Sequence, residues 1–338
     1  MSCLEWYIIL RYFYTFCPKA ERIAPLSKRC KRIPESELVL RNLWWRVYGP
    51  KKRVYDLYPM ELLQGMYEVA LIEKAKCATD DILDINRRVI EPYVYMYLQQ
   101  QYGPMLQDHW KTYLPPKQSE HVFVIAERRA HPYFPFILQN MAWAGPHMAV
   151  YIFCSEENQG FIRSILGDKA SHYHIIPVFN GNPDREHGKR AYNNLLTDYR
   201  FYQLIDATYM LTIQLDNIIR KKIDPAMFVG EYWGNPWSWS TESAGGGGAT
   251  VRNIPAMIRI CQLHRSNPDM PFEETEDKWL SDHVTDYPDL SFRASYLMES
   301  VHVQDPCIVH QFWTFAHCYT ELPREQFIAL WDTIMRIS

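Results

Sequence analysis

The hydrophobic pattern of the chain changes at Pro115–Pro116. Before the two prolines, apolar residues recur at the spacing of three and four that is typical of amphipathic helices. This spacing predicts one helix over residues 60–76 and a second from about Thr79 to Tyr102. A double proline is typical of a boundary between domains. The sequence therefore predicts a mainly helical region over residues 1–118 and a second domain over residues 119–338.

Beyond the double proline, short continuous apolar runs alternate with segments of helical periodicity. The predicted strands cover residues 121–126, 148–154, 173–179 and 209–215, and the predicted helices cover residues 135–144, 159–166, 192–205, 255–264 and 324–337. Such alternation predicts an α/β domain, in which a mostly parallel, Rossmann-type sheet is flanked by helices. Ligands of these sheets bind at the carboxyl ends of the strands.

Composition narrows the class of protein. The chain has 338 residues, of which 47% are hydrophobic, enough for a substantial core. Its eight cysteines are scattered without a CxxC pair, and it has no Asn-x-Ser/Thr site, as expected of a protein with reduced thiols. The apolar run over residues 4–16 is interrupted by charges and is too short to span a bilayer. We therefore expect a cytoplasmic location.

Charge is distributed unevenly. Residues 19–53 contain eleven Lys or Arg and three Glu, although the whole chain has a net charge of −3. Two interpretations stay open: a solvated basic face, or a segment that contacts anionic lipid at a membrane surface. No nucleic-acid-binding module is recognisable, so a nucleic-acid partner is not expected.

Candidate cation ligands follow two apolar runs. Asp216 comes directly after the predicted strand 209–215, where a carboxylate could bind Mg²⁺ or Mn²⁺ and so neutralise a diphosphate. His310 follows the apolar run Cys307-Ile308-Val309. The alternatives are a turn aspartate and a core histidine with satisfied hydrogen bonds.

Four consecutive glycines, Gly245 to Gly248, let a ligand approach the backbone closely. We predict a ligand-binding loop here rather than a linker, because a helix with Asn253 as its N-cap follows directly. An acidic cluster, which includes Glu276 and Asp277, comes next. Like charges raise one another's pKa when partly buried, which suits a general base, whereas acids that stabilise a helix N-terminus are the alternative.

Three tryptophans, Trp233, Trp237 and Trp239, lie in a segment broken by Gly and Pro. Aromatic faces of this kind can stack on the apolar faces of sugar rings. Packing beneath a loop is the alternative. We predict that a glycan acceptor stacks on these rings.

Seven segments, taken in order, resemble a poorly characterised glycosyltransferase-like family of fungi, algae and large DNA viruses, whose members look like compact GT-A folds. The resemblance covers about residues 120–315. Its marks are Val124 to Pro132, Tyr192 to Leu196, Gln214-Leu215-Asp216, Gly230 to Trp237, the glycine run ending in Arg252, Glu276-Asp277 and His310 to Trp313.

The resemblance implies a GT-A-like fold, a nucleotide-sugar donor and a glycan or glycoprotein acceptor. It implies that Asp216 replaces the metal-binding acid of a DxD motif, with Gln214 in place of the first acid, and that His310 completes the shell of a Mn²⁺ or Mg²⁺ ion. Asp277 is similar to the catalytic base of inverting members, with Glu276 as second choice. The residues expected to contact the donor are Glu127, Arg128, Asn193, Gln214, Gly246, Gly247 and Arg252.

Two other functions stay open. The incomplete DxD motif suits a carbohydrate-binding or assembly protein without catalysis on a degenerate GT-A scaffold. A retaining glycosyltransferase would need no base at Asp277.

Overall fold

A computed structural model describes residues 91–179, 185–265, 267–299, 305–311 and 334–338. The chain divides between residues 72 and 73, and every described residue belongs to the second unit. The domain boundary at residue 118 stays a prediction. The basic segment 19–53, the predicted helix 60–76 and most of the predicted helix 324–337 lie outside the described residues. Of the predicted helix 79–102, residues 91–102 are described, and they are helical.

The helices and strands carry the following labels. The helices are α1 (Glu91–Thr112), α2 (Phe134–Ala144), α3 (Glu156–Leu166), α4 (Arg185–Leu196), α5 (Tyr199–Tyr202), α6 (Ile254–His264), α7 (Glu276–His283) and α8 (Leu290–Tyr296). The strands are β1 (His121–Ala126), β2 (Ala149–Ser155), β3 (His174–Phe179), β4 (Tyr209–Ile213), β5 (Asn217–Ile219), β6 (Tyr232–Asn235), β7 (Gly246–Asn253), β8 (Leu297–Met298) and β9 (Ile308–His310). Within the described ranges, no helix is both long and apolar enough to cross a membrane.

The central sheet has the strand order β3-β2-β1-β4-β7-β6. Strands β1 to β4 are mutually parallel, whereas β7 runs antiparallel to both of its neighbours. All seven residues of β2 are buried, as expected of a strand covered by helices on both faces. The predicted α/β fold with a mostly parallel sheet is therefore confirmed.

Apolar packing holds the two helical layers to the sheet. On one face, Val124 and Phe153 of the strands pack with Phe201, Met257 and Trp279 of the helices. Burying one such side chain contributes roughly 1.5–3 kcal/mol. On α1, Tyr95 stacks on Tyr133 before α2, with 3.7 Å between ring centroids. These contacts tie α1 to the sheet domain.

Capping residues set several helix boundaries. Asn253 caps α6 as predicted, because its side chain accepts a hydrogen bond of 3.0 Å from the Ala256 amide. The predicted helix over residues 192–205 is wrong in one respect, because it is divided into α4 and α5. Asp198 starts the second helix by accepting a hydrogen bond of 2.9 Å from the Arg200 amide. A new N-cap inside an apolar stretch therefore interrupts the helix.

The strand order reverses between β1 and β4, because β2 and β3 extend the sheet on the other side of β1. A crevice for ligands forms at such a reversal, outside the carboxyl ends of the strands. Glu127 follows β1 and Gln214 follows β4 at this edge. Since β7 runs antiparallel to β4, the glycine-rich start of β7 lies at the same edge.

Candidate functional site

A second, smaller sheet of order β5-β9-β8 brings three ionisable side chains together. Asp216 precedes β5, Glu299 follows β8 and His310 ends β9. Strand β5 pairs antiparallel with β9, opposite His310 at its first residue, and β8 runs parallel to β9. The start of one strand and the ends of the other two therefore meet at one edge of this sheet.

The imidazole of His310 lies between the two carboxylates. Its Nε2 is 3.4 Å from Asp216 Oδ1, and its Nδ1 is 3.3 Å from Glu299 Oε1. The side chain is buried. Burial alone would lower the pKa of the imidazole, but Glu299 and Asp216 overcome that effect and raise the pKa to about 10. The two carboxylates therefore set the electrostatics of this edge.

The Nδ1 atom of His310 has a second neighbour, the Gly248 amide nitrogen at 3.2 Å. An amide N–H only donates, so this contact is a hydrogen bond only when Nδ1 carries no proton. The Glu299 contact, in contrast, is favourable when Nδ1 is protonated. The Glu299 carboxylate attracts the proton on Nδ1 more strongly than the Gly248 amide stabilises unprotonated Nδ1, so Nδ1 of His310 is protonated.

Asp216 and His310 could bind a divalent cation together only when His310 Nε2 carries no proton. The two donor atoms are 3.4 Å apart, so both can reach an ion at bond lengths of about 2.1 Å. Apart from this contact with Asp216, buried Nε2 has no hydrogen-bond partner among the described residues. Glu299 lies on the opposite side of the ring and does not join them. Within the described residues, no group of three or more His, Cys, Asp or Glu could hold a metal ion.

The four glycines do not form the predicted loop. Gly246 to Gly248 are the first residues of β7, and backbone groups of β4 pair with that strand. Glycine is needed because other groups approach the backbone closely. A Cβ at Gly246 would lie 2.5 Å from Asp277 Cβ, and a Cβ at Gly247, whose φ is +87°, would lie 2.5 Å from Glu299 Oε2. The missing side chains at Gly246 and Gly247 therefore leave room for Asp277 and Glu299 to lie against the backbone of β7.

Asp277 contacts this glycine strand from the first turn of α7. Its Oδ2 accepts a hydrogen bond of 3.3 Å from the Gly247 amide, and its Oδ1 accepts one of 2.8 Å from the Lys278 amide. The next residue of β7, Gly248, contacts His310. The candidate base and the candidate cation ligand therefore contact consecutive amides of one strand.

Glu276 and Arg252 form an ion pair inside the domain. Both side chains are almost fully buried, with 3.0 Å between Arg252 Nη2 and Glu276 Oε1. The guanidinium also donates to Tyr202 and Thr250. Burial, reinforced by the charge of Asp277, raises the pKa of Glu276 to about 7. These contacts favour a structural role for Arg252, in place of the predicted contact with the donor.

Two predicted donor-binding residues hold the site loops together. Gln214 Nε2 donates to Tyr192 Oη at 3.1 Å, and its backbone N–H donates to Gly248 O at 2.8 Å. Asn193 Nδ2 donates to the Glu274 carbonyl at 2.9 Å. The Tyr192 contact links the end of β4 to α4, and the backbone contact links it to β7. The Asn193 contact places the segment before α7.

Glu127 and Arg128 lie in the loop after β1. Burial alone would raise the pKa of Glu127, but hydrogen bonds and the charge of Arg129 hold it below its ordinary value. Asn158 Nδ2 donates to the carbonyls of Glu127 and Arg129, and Ser155 Oγ donates to that of Arg128. The capping box of α3 therefore holds this loop at the crevice.

The three tryptophans have different environments. Trp233 is fully buried in β6 and packs against Phe292, so the prediction that it stacks on a sugar is wrong. Trp237 is buried against Gly246. Trp239 is 72% exposed and stacks on Trp237, with 5.6 Å between ring centroids. Trp237 therefore lies between the glycine strand and the exposed ring of Trp239.

Two site residues were missed by the sequence analysis. Glu299 follows the apolar pair Leu297-Met298 much as Asp216 follows Leu215, and that pattern could have indicated it. Asn235 is completely buried beside Gly247, and neither polar atom of its amide has a hydrogen-bond partner in the part of the chain that the structure describes. No local pattern indicates Asn235, because its position depends on the pairing of β6 with β7.

Comparisons with known proteins find one family model and a distant structural likeness. A family model described as "Protein of unknown function (DUF5672)" matches residues 182–301. No curated protein matches the sequence. Among solved structures, the apo form of mouse xyloside xylosyltransferase 1 is similar, with 8% identity over 57% of this chain and 97% of that chain and a TM-score of 0.37. Membership of the glycosyltransferase-like family stays a prediction.

Proposed function

We propose that the protein is a metal-assisted, inverting glycosyltransferase that moves a sugar from a nucleotide-sugar donor to an acceptor hydroxyl. One observation carries the proposal. Asp277 and His310 contact consecutive amides of the glycine strand, and Asp216 lies 3.4 Å from His310 at the carboxyl end of β4. A carboxylate base and a cation-binding pair are thereby brought together where sheets of this type bind ligands.

Asp216 and His310 are the groups that would hold the cation. Two protein ligands suffice when the oxygens of a diphosphate and water complete the shell, as they usually do for Mg²⁺. The cation would neutralise the charge that develops on the leaving diphosphate. The role of this chain is to keep the two donor atoms in place by burying His310 between paired strands.

Asp277 is the group that would take the acceptor proton. As the acceptor oxygen attacks the anomeric carbon, the bond from that carbon to the diphosphate breaks and the hydroxyl proton passes to the carboxylate. Attack from the side opposite the leaving group inverts the anomeric centre. The Gly247 amide holds one oxygen of Asp277. Glu276 is ion-paired with Arg252, so it supports the start of α7 and is the weaker candidate for the base.

The two substrates would approach the strand ends from different parts of the site. We assign the nucleotide to the crevice between β1 and β4, beside Glu127 and Arg128, because the strand order reverses there. We assign the acceptor to the exposed face of Trp239, because that ring stacks on Trp237, which packs against Gly246 near Asp277.

Donor binding and turnover test the proposal separately. Common nucleotide sugars are screened by calorimetry with Mn²⁺, and sugar transfer to hydroxyl acceptors is then followed. Asp277→Asn keeps the shape that accepts from Gly247 but removes the base. We expect turnover to fall by about 10²- to 10⁴-fold with donor affinity nearly unchanged. Asp216→Ala should instead weaken donor binding in the presence of Mn²⁺.

Asp282→Asn is the matched control, because Asp282 lies on the same helix but pairs with exposed Lys278. A fully active Asp277→Asn variant refutes the base assignment, and a product with retained configuration refutes inversion. Donor binding without transfer to any acceptor supports a carbohydrate-binding protein. Absence of nucleotide-sugar binding in the wild type overturns the proposed function.

A further inference from the structure

Arg293 is a buried cation beneath the connection between β6 and β7. It lies in α8 and is 1% exposed. Two of its hydrogen bonds go to backbone carbonyls: Nε donates to Pro288 O at 3.1 Å, and Nη2 donates to Thr241 O at 3.0 Å. Its buried Nη1 has no hydrogen-bond partner in the part of the chain that the structure describes. A buried charge that bonds to carbonyls rather than to a carboxylate costs stability, so its presence points to a role in fixing one conformation of the chain.

The connection between β6 and β7 covers residues 236–245, and we call it the tryptophan loop because it carries the stacked rings of Trp237 and Trp239. Its buried ring, that of Trp237, lies close to the candidate base. A Cβ at Gly246 would lie 2.6 Å from Trp237 Cζ2 and 2.5 Å from Asp277 Cβ. The conformation of the tryptophan loop therefore sets where Trp239 lies relative to Asp277.

Two side chains from the region of α8 hold consecutive carbonyls of the tryptophan loop. Arg293 donates to that of Thr241, and Tyr287 Oη donates to that of Glu242 at 2.8 Å. The Arg293 guanidinium lies 5.8 Å from the centroid of the Tyr287 ring, a distance at which a cation–π attraction joins the two side chains. The tryptophan loop is therefore anchored shortly after its exposed ring.

The end of the tryptophan loop is also fitted to Arg293. Gly245 has a φ of +78°, and a Cβ there would lie 3.0 Å from Arg293 Nη1. The same Cβ would overlap the carbonyl oxygen of Asn235, the last residue of β6. Glycine tolerates both this backbone conformation and this crowding. Arg293 therefore lies against the loop at its middle and at its end.

We propose that Arg293 is a positioning residue, which holds the tryptophan loop so that the exposed ring of Trp239 offers a fixed stacking surface to a sugar acceptor. The inference rests on the proposed function, in which Trp239 binds the acceptor near Asp277. A rigid stacking surface favours binding, because less conformational freedom is lost when the sugar docks.

The environment of Trp239 and the affinity for a sugar test the proposal together. Fluorotryptophan is incorporated into the full chain, and Trp239→Phe identifies the fluorine resonance of Trp239. The acceptor probes are methyl glycosides of common hexoses and pentoses, and the one that binds the wild type best is used throughout. Affinities for this glycoside and for a nucleotide sugar are measured by calorimetry.

Arg293→Met keeps most of the side-chain volume but removes the donor to Thr241. Affinity falls with the fraction of molecules whose loop is in the binding conformation, so we expect glycoside binding to weaken by about 10-fold. The Trp239 resonance should shift, and nucleotide-sugar affinity should stay unchanged. Arg293→Lys should regain part of the glycoside affinity, because an ammonium group can still donate to the Thr241 carbonyl. Tyr287→Phe removes one neutral hydrogen bond and should have a smaller effect in the same direction.

A double variant shows whether Arg293 acts through Trp239. Once Trp239→Ala has removed the stacking surface, Arg293→Met should cause no further loss of glycoside affinity. Losses that add in the double variant would overturn the proposal. Tyr296→Phe is the matched control for Tyr287→Phe, since Tyr296 lies on α8 but donates to exposed Asp224. An equal loss in both variants would indicate a general effect of α8 and would also overturn the proposal.

A purely structural role of Arg293 gives a different result. Arg293→Met would then lower the unfolding temperature but leave the Trp239 resonance and the glycoside affinity as in the wild type, which overturns the proposal. If Arg293→Met is unfolded in a thermal melt, Tyr287→Phe decides. An unchanged resonance and unchanged glycoside affinity in Tyr287→Phe then count against the positioning role.

The proposed function and this inference fail in different ways. A wild type that binds no nucleotide sugar contradicts the proposed function. A wild type that binds a nucleotide sugar but none of the glycosides contradicts the acceptor surface, and the role of Arg293 falls with it. Glycoside binding that Arg293→Met leaves unchanged contradicts the positioning role alone.

Discussion

Replacement of Arg252 by Met separates a structural role of this arginine from a role in donor binding. The Arg252 side chain is fully buried and makes three hydrogen bonds. Its Nη2 is 3.0 Å from Glu276 Oε1, its Nη1 is 2.9 Å from Tyr202 Oη and its Nε is 2.9 Å from Thr250 Oγ1. With no exposed surface, the guanidinium can stabilise the fold but cannot touch a ligand at the strand ends.

The expected loss of stability follows from the carboxylate left behind. Arg252→Met keeps most of the side-chain volume but leaves Glu276 buried without a cation, which typically costs about 3–5 kcal/mol. The cost should be greatest above pH 7, because Glu276, whose pKa is raised by burial to about 7, can become neutral below that pH. Arg259 is the matched control. It pairs with Glu231 but is 60% exposed, so Arg259→Met should cost less than about 1 kcal/mol.

Urea unfolding at pH 8, followed by tryptophan fluorescence, measures these differences, and calorimetry measures donor affinity. The double variant Arg252→Met/Glu276→Met should regain at least half of the lost stability, because apolar side chains of similar volume can replace a buried ion pair. Our reasoning is refuted if Arg252→Met costs no more than Arg259→Met. It is also refuted if Arg252→Met weakens donor binding while the free energy of unfolding is unchanged, since that result would restore the predicted contact with the donor.

Two further predictions concern pH and the acceptor. Burial, with the charge of Asp277, raises the pKa of Glu276 from the ordinary 4.5 to about 7. The stability linked to its proton is therefore present below pH 4.5 and lost as the pH rises to about 7. In urea unfolding, the wild type should lose about 3 kcal/mol of stability relative to Glu276→Gln over that interval. A difference between the two proteins that does not change with pH contradicts this. Because Trp239 is 72% exposed, Trp239→Ala should change stability by less than about 0.5 kcal/mol yet raise the KM for the acceptor without altering donor affinity, and an unchanged KM would rule out acceptor stacking.

Local patterns predicted the four parallel strands, β1 to β4, and the helices that follow them, but none of the strands β5 to β9. Strand β1 has the predicted bounds, and the strand before Asp216 ends at Ile213, two residues before its predicted end. These predictions succeed because apolar runs and caps act over a few residues. The glycine run shows the limit of such reasoning. Its lack of side chains correctly indicated close approach, but the approaching groups are acids of this chain, and the run is a strand rather than a loop.

The candidate site shows the same division. Asp277 and His310, which the sequence analysis named, contact one glycine strand, and Asp216 lies beside His310. Their catalytic roles stay predictions. The sequence did not indicate that Arg252 lies inside the domain. The pattern of an arginine after a glycine run does not distinguish an arginine that binds a ligand from one that pairs with a buried glutamate.

The sequence by itself determined the alternation of strands and helices, the positions of the caps and the acids that follow apolar runs, because each depends on neighbours within a few residues. Only the tertiary structure decided which of these acids meet. Glu299 reaches His310 because β8 and β9 pair in parallel, and Asp216 reaches it because β5 pairs antiparallel with β9. Strand direction and register across long stretches of chain are set by packing of the whole domain, which no local pattern records.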